Sequence, residues 1–128
     1  MSRIIVMTLA ALSLGAATVT AHHGYAAFDR EHPATIEGDI TQIVFANPHV
    51  VLTVHSAATT YSVEWGNLAQ MNRTNVTKGI LHAGDHVVVT GSVPRDPADH
   101  RLSLVTDIRR PADGWRWSHS TPPSASRP

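Results

Sequence analysis

The order of the predicted secondary-structure elements constrains the fold of this chain more than any other feature. Alternating and β-branched residues predict five strands, at residues 35–45, 50–55, 60–65, 86–93 and 102–109. Between the third and fourth strands, two segments predict one broken helix or two short turns, at residues 68–72 and 77–81. This is the element order of the OB-fold, so we predict an all-β, five-stranded OB-like barrel with a short helix between strands three and four. A five-stranded sandwich of another topology is the alternative.

The corner between the first two strands has the sequence Phe45-Ala46-Asn47-Pro48-His49-Val50. The ring of Pro48 fixes φ and Asn47 tolerates turn geometry, so the pair predicts a turn. His49 would then stand at the rim of the barrel, on a loop that OB-folds use for ligands. Within the first strand, Gly38 predicts a bend or a bulge.

The first 21 residues have the pattern of a secretory signal peptide. Arg3 supplies a basic start, residues 4–14 are apolar, and the small residues that follow end in Val19-Thr20-Ala21. We therefore predict cleavage after Ala21 and a periplasmic or secreted protein. The alternative, a membrane anchor, is disfavoured because the apolar run is shorter than the roughly 20 residues that span a bilayer.

The sequence predicts three parts: a signal peptide at 1–21, the barrel domain at 22–114, and a polar tail at 115–128. From Ser118 onward the chain is mostly Ser, Pro, Thr and Arg without an apolar period, so we expect this tail to be disordered. The chain contains no cysteine. It therefore has neither disulfides nor a lipid-modified cysteine anchor, and burial must hold the fold together.

The charge pattern argues against nucleic-acid binding. The formal net charge is zero with histidine counted as neutral, and it becomes −1 when the leader with Arg3 is removed. The single lysine is Lys78, and no basic face is evident to neutralise phosphates. All nine histidines follow the predicted cleavage site, so we expect an acid-sensitive surface.

The mature part resembles DUF6152, a family of small exported bacterial proteins of unknown function. The most specific matches are His22-His23-Gly24-Tyr25-Ala26-Ala27-Phe28-Asp29 and the Asn47-Pro48-His49 corner. Gly38, Val63-Glu64 with Gly66, and residues 84–91 match as well. The resemblance covers roughly residues 21–114 and implies no established activity.

The paired histidines after the predicted cleavage site suggest copper binding. Cleavage after Ala21 would give His22 a free α-amine, which can chelate one metal ion together with its ring Nδ1. Nitrogen ligands suit Cu(II). We predict a copper site of His22 and His49, with His23 as a helper. Cleavage one residue earlier would make His23 the third residue of the mature chain, a position whose histidine can also bind copper together with backbone nitrogens. The alternatives are a mobile terminus with solvated histidines and a His49 ring that hydrogen-bonds a backbone carbonyl.

Other candidate sites have weaker support. His55 is excluded from a site with His49, because six strand residues span ~20 Å. His82 and His86 are four residues apart, but Gly84 between them breaks a helix. No Gly-x-Ser-x-Gly elbow or paired-acid spacing occurs, so we assign no catalytic residue. Trp115 and Trp117 could pack in the core or form a patch for a periplasmic or cell-wall partner. The sequence therefore predicts an exported binding module, with a metal-free interaction domain as the alternative.

Overall fold

The computed structural model describes residues 24–119. A short 3₁₀ turn, Tyr25–Ala27, comes first, and one short helix, α1 (Leu68–Arg73), lies between the third and fourth strands. The six strands are β1 (Ala34–Val44), β2 (Val51–Ser56), β3 (Thr59–Glu64), β4 (His86–Ser92), β5 (Arg101–Arg110) and β6 (Trp115–Ser118). None of the helices in this part of the chain is long and apolar enough to cross a membrane.

The strands form a closed barrel of five strands, as the sequence predicts. Their order in the sheet is β3-β2-β1-β4-β5-β6, and a parallel pairing of β3 with β5 closes the barrel. The antiparallel neighbours share long registers, whereas the closing seam joins only Ser62 to Arg101 and Val63 to Leu102. The OB-like prediction, with a short helix between strands three and four, is confirmed.

The predicted boundary at residue 114 differs from the structure. Trp115–Ser118 form β6, which pairs with β5 from Arg110↔Trp115 to Asp107↔Ser118. Trp117 is buried at 5% exposure and belongs to the core, so the domain continues beyond the predicted start of the tail. The aromatic residues at alternate positions explain this strand, because both sit on its inward side and gain apolar burial.

The two segments predicted between strands three and four behave differently. Leu68–Arg73 is helical, and Asn67 caps it by accepting a hydrogen bond from the Gln70 N–H at 2.8 Å. Residues 77–81 form turns instead of a second helix. Gly79 adopts a φ of +96° there, which a right-handed helix does not allow.

Alternation along the strands builds the core. In β1, Ile36 and Ile40 point inward, and the intervening Glu37 and Asp39 are exposed. β2 and β4 follow the same rule, so a single apolar cluster fills the barrel. Gly38 lies on the inward side of β1, where an added Cβ would overlap the carbonyl oxygen of His55 on β2. The β1–β2 register shifts between Ile40 and Gln42, beyond Gly38, whereas Gly38 itself pairs in regular register with Val87 of β4. The bulge predicted at Gly38 is therefore not at that residue, and the glycine serves the close approach of β2 instead.

His86 lies between two carboxylates on the outer face of β1 and β4. Its Nε2 is 2.9 Å from Glu37 Oε1, and its Nδ1 is 2.7 Å from Asp39 Oδ1. The hydrogen bond with Glu37, followed by that with Asp39, raises the pKa of His86 above its usual 6.5. The charged ring can donate to both carboxylates at once, whereas the neutral ring can donate to only one.

We expect the His86 ring to titrate above pH 6.5. Because its folded-state pKa is raised, its stabilising contribution is present below the unfolded-state pKa and is lost as the pH rises through the folded-state value. NMR titration of the ring protons measures this directly. Glu37→Gln should lower the pKa of His86, whereas Glu31→Gln, distant from this ring, should leave it unchanged. A His86 pKa that Glu37→Gln does not lower would contradict this assignment.

Candidate functional site

A cavity of about 370 Å³ opens where β4, β5, β6, α1 and the first described turn meet. We call it the bulge cavity. Its walls combine aromatic, hydroxyl and amide side chains: Tyr25, Arg30, Pro33, Trp65, Gly66, Gln70, Gly91, Ser92, Ser103, Leu104, Val105, Thr106, Trp117 and His119. Volumes of roughly 300–1,000 Å³ with a few convergent polar groups are typical of small-molecule sites.

An irregularity in the β4–β5 pairing creates the cavity. Thr90 pairs with Asp107, but Ser92 pairs with Ser103, so β5 carries extra residues at this point. Leu104, within the bulge, has a φ of +50°, which is strained for a residue with a branched side chain. Opposite it, Gly91 lets the Ser103 carbonyl approach to a distance that a Cβ would block. Strained backbone beside a cavity often marks a functional site.

Two buried serines face each other across this bulge. Ser92 is 5% exposed and Ser103 is 2% exposed, and they are register partners on β4 and β5. Neither side-chain hydroxyl forms a hydrogen bond with any of residues 24–119. The residues are buried, but their hydroxyl oxygens are not fully enclosed, since neither is among the fully buried side-chain atoms without a partner in residues 24–119. Both hydroxyls line the cavity and are available to a molecule in it.

Trp65 forms another part of the wall and carries an unpaired donor. It is 6% exposed, and its indole Nε1 is the one buried side-chain nitrogen or oxygen without a partner within the described residues. Its backbone is fixed, because the Trp65 N–H donates to the Val50 carbonyl at 2.8 Å. The ring packs edge-on against Trp117, with centroids 5.2 Å apart. The position of this donor is therefore set by the core around it.

Two further residues of the cavity wall are Gln70, on α1, and His119, just after β6. Gln70 Nε2 is 3.2 Å from His119 Nδ1. An amide nitrogen can only donate, so Nδ1 is the acceptor and the neutral ring carries its proton on Nε2. His119 is held in place by its own N–H, which donates to the Thr106 carbonyl at 2.9 Å.

The first described residues form one edge of the cavity. Phe28 is buried and bridges to Pro94, and the Asp29 N–H donates to the Val93 carbonyl at 2.9 Å. These contacts attach the turn at Tyr25–Ala27 to the end of β4. Tyr25 is 49% exposed and Arg30 is exposed as well, so both stand where the cavity meets solvent.

A second cavity, of about 390 Å³, lies beside the Asn-Pro-His corner and shares Trp65 with the first. We call it the corner cavity. Phe45, Val50 and Leu52 line one side of it, and the turns at 77–83 line the other. Asp85 fastens these turns by accepting from the His82 N–H and from Arg110. Burial raises the pKa of Asp85, but these two hydrogen bonds outweigh it and lower the pKa below the usual value.

The predicted copper residues are only partly visible in the structure. His22 and His23 lie outside the described residues. His49 is half-buried at the corner, and its ring forms no hydrogen bond or ion pair with any of residues 24–119. The backbone-carbonyl alternative for this ring is therefore absent within that range. Asn47 instead anchors the corner, because its Oδ1 accepts from the Leu68 N–H at the start of α1 at 2.9 Å.

The remaining histidines are dispersed. His55 contacts the Thr60 hydroxyl, His82 lies 4.0 Å from Asp85, and His86 pairs with β1 carboxylates. Over residues 24–119, no group of three or more metal-ligating side chains is arranged to hold an ion. Trp117 is in the core, and the Arg110 guanidinium lies 5.7 Å from the centre of the Trp115 ring, so neither forms the exposed patch considered from the sequence.

Sequence reasoning missed the bulge cavity. Its serines and glycine come from two strands whose pairing is irregular, and no local pattern reveals which of their residues meet. One signal was present: Gly91 interrupts an otherwise apolar and β-branched strand, which is typical of a bulge or of a close backbone approach.

Comparison with known proteins assigns the chain to a family. No curated protein matches it. The model of a family of unknown function, DUF6152, matches residues 9–103, which includes the paired histidines, the Asn-Pro-His corner, strands β1 to β4 and the start of β5. The chain therefore belongs to the DUF6152 family.

Proposed function

We propose that this protein is an exported binding module that holds a small organic molecule in the bulge cavity. The observation that carries the proposal is that hydrogen-bond donors without a partner among residues 24–119 lie around one cavity. The Ser92 and Ser103 hydroxyls and the Trp65 indole N–H all lack partners among the described residues. A ligand that accepts hydrogen bonds from the serine hydroxyls gains free energy of binding, and the cost of an unpaired group applies to the fully buried Trp65 indole N–H.

The rigid surroundings support the same proposal. The bulge, the Trp65–Trp117 pair and the Gln70–His119 contact come from four separate elements of the barrel. A site built on such elements changes little on binding, and this lowers the entropic cost of holding a ligand. The export part of the proposal rests on the leader pattern at residues 1–21.

An NMR titration with 4-phenylbutyrate tests the cavity. This probe joins an apolar ring to a hydrogen-bond acceptor and fits the volume. We expect the backbone amides of Ser92 and Ser103 and the Trp65 indole N–H to shift together, and the Trp115 indole N–H, outside the cavity, to stay. Thr106→Phe, at the exposed edge, should block these shifts. Thr41→Phe, at an exposed position on β1, is the matched control. Shifts that persist in Thr106→Phe, or that lie elsewhere, would contradict the site.

Copper binding is a second candidate, favoured by the free ring of His49. Both of its nitrogens are unpaired within the described residues, and Asn47 holds the backbone that carries it. We propose that His22, through its amine and ring, binds Cu(II) with His49, and that His23 assists. A periplasmic partner or cell-wall component remains the metal-free alternative.

Intact-mass measurement and copper titration test this second candidate. The exported protein should begin at His22, and His49→Ala should bind Cu(II) about tenfold more weakly, because a chelate loses one of its imidazole ligands. His55→Ala, another histidine of the same strand region, should bind like wild type. A mature chain that begins several residues later, or equal affinity of wild type and His49→Ala, excludes this site.

A further inference from the structure

We propose that the ligand of the bulge cavity is a small organic acid, with one carboxylate attached to an apolar or aromatic body. This inference rests on the proposed function, since it names the chemical class that the same cavity would bind. It goes beyond the presence of a cavity because it predicts the sign and the number of charges on the ligand.

The charges around the cavity favour an anion. None of its lining residues is Asp or Glu, whereas Arg30 lines it. The Arg30 guanidinium forms no ion pair or hydrogen bond with any of residues 24–119. Arg101, Arg109, Arg110 and Arg116, by contrast, all pair with carboxylates. An unpaired guanidinium beside a cavity without acids attracts negative charge and repels cations.

The hydrogen-bonding groups favour an acceptor. The Trp65 indole can only donate, and the neutral His119 ring has its donor at Nε2, because Nδ1 already accepts from Gln70. The Ser92 and Ser103 hydroxyls can donate as well. An ionised carboxylate has two oxygens that only accept, with about four lone-pair directions. It therefore suits a cavity lined by the donors of Trp65, His119, Ser92 and Ser103.

The remaining walls define the rest of the ligand. Trp117, Val105 and Leu104 present apolar surface, and Tyr25 stands half-exposed where the cavity meets solvent. These surfaces suit an apolar or aromatic body rather than a second charged group. One unpaired arginine balances one negative charge, which favours a monocarboxylate over a doubly charged phosphate ester.

Matched titrations of 4-phenylbutyrate and 4-phenylbutyramide test the inference. The two probes have the same shape and differ in charge. We expect the acid to bind more tightly than the amide. Arg30→Gln should weaken binding of the acid by about fivefold, as expected for the loss of an exposed ion pair, and leave binding of the amide unchanged. Arg73→Gln, an exposed arginine outside the cavity, is the control and should change neither. Added salt should weaken binding of the acid but not of the amide, because salt screens the ion pair.

The outcomes distinguish the inference about ligand charge from the proposed function of binding a small molecule. Equal binding of acid and amide at the Trp65, Ser92 and Ser103 resonances would overturn the charge inference and leave the cavity as a binding site. Equal weakening of acid and amide binding by Arg30→Gln would likewise overturn the charge inference. Absence of any shift with either probe would overturn the inference and the proposed function together.

Discussion

Gly38→Ala should destabilise the barrel by about 3 kcal/mol, because core overpacking of this kind has nowhere to relax. An added Cβ would overlap the His55 carbonyl oxygen and crowd the Ser56 Cα, both of which are backbone atoms of the neighbouring strand. Backbone atoms cannot rotate away, so β1 and β2 would have to separate where they pair. Urea unfolding followed by circular dichroism measures the change in the free energy of unfolding.

Gly66→Ala is the matched comparison for this substitution. There an added Cβ would first meet Gln70 Oε1 and Met71 Cε, which are the ends of flexible side chains. These ends can move, so we expect a cost of about 1 kcal/mol. If Gly66→Ala proves as damaging as Gly38→Ala, the close approach of the two strands is not what requires glycine at position 38.

Phe28→Ala should lower the free energy of unfolding by about 3 kcal/mol, the usual cost of truncating a buried aromatic ring. Phe28 is 2% exposed, bridges to Pro94, and lies 5.2 Å below the Arg101 guanidinium. It is thus the main apolar anchor of the chain that forms the edge of the bulge cavity. Its loss should also weaken 4-phenylbutyrate binding, because Tyr25 would no longer be held beside the cavity.

Tyr25→Ala separates these two effects. Tyr25 is half-exposed, so its removal should change stability by less than ~0.5 kcal/mol. It should nevertheless weaken the binding of the probe. Thermal unfolding and the NMR titration of both variants give the comparison. A stable Phe28→Ala protein with unchanged probe binding would show that this segment is not part of the site.

The fold was predictable where the signals are local. β-branched alternation predicts the five barrel strands, and the segment predicted at residues 68–72 matches α1. β6 was missed because it has only four residues and precedes a polar tail, and its burial depends on pairing with β5. The turns at 77–81 differ from a helix because Gly79 adopts a positive φ, and a glycine in a sequence does not reveal its conformation.

The site was predictable only in part, for a different reason. The Asn-Pro-His corner is a local motif, and the structure gives it a clear role, since Asn47 holds the start of α1. The bulge cavity depends on which residues of β4 and β5 face each other after the register shift. Ser92 and Ser103 carry no pattern of their own. Their place in the wall of one cavity depends on the strand pairing, which only coordinates reveal.

The short seam between β3 and β5 determines how this barrel opens. Two residue pairs close it, whereas six join β2 to β3. Local unfolding starts where the fewest contacts must break, so amide protons along this line should exchange with solvent before those of β1 and β2. The barrel therefore behaves as a curled sheet that separates first between β3 and β5. If two copies of the chain associate through transiently exposed strand edges, the edges of β3 and β5 should be the first to pair.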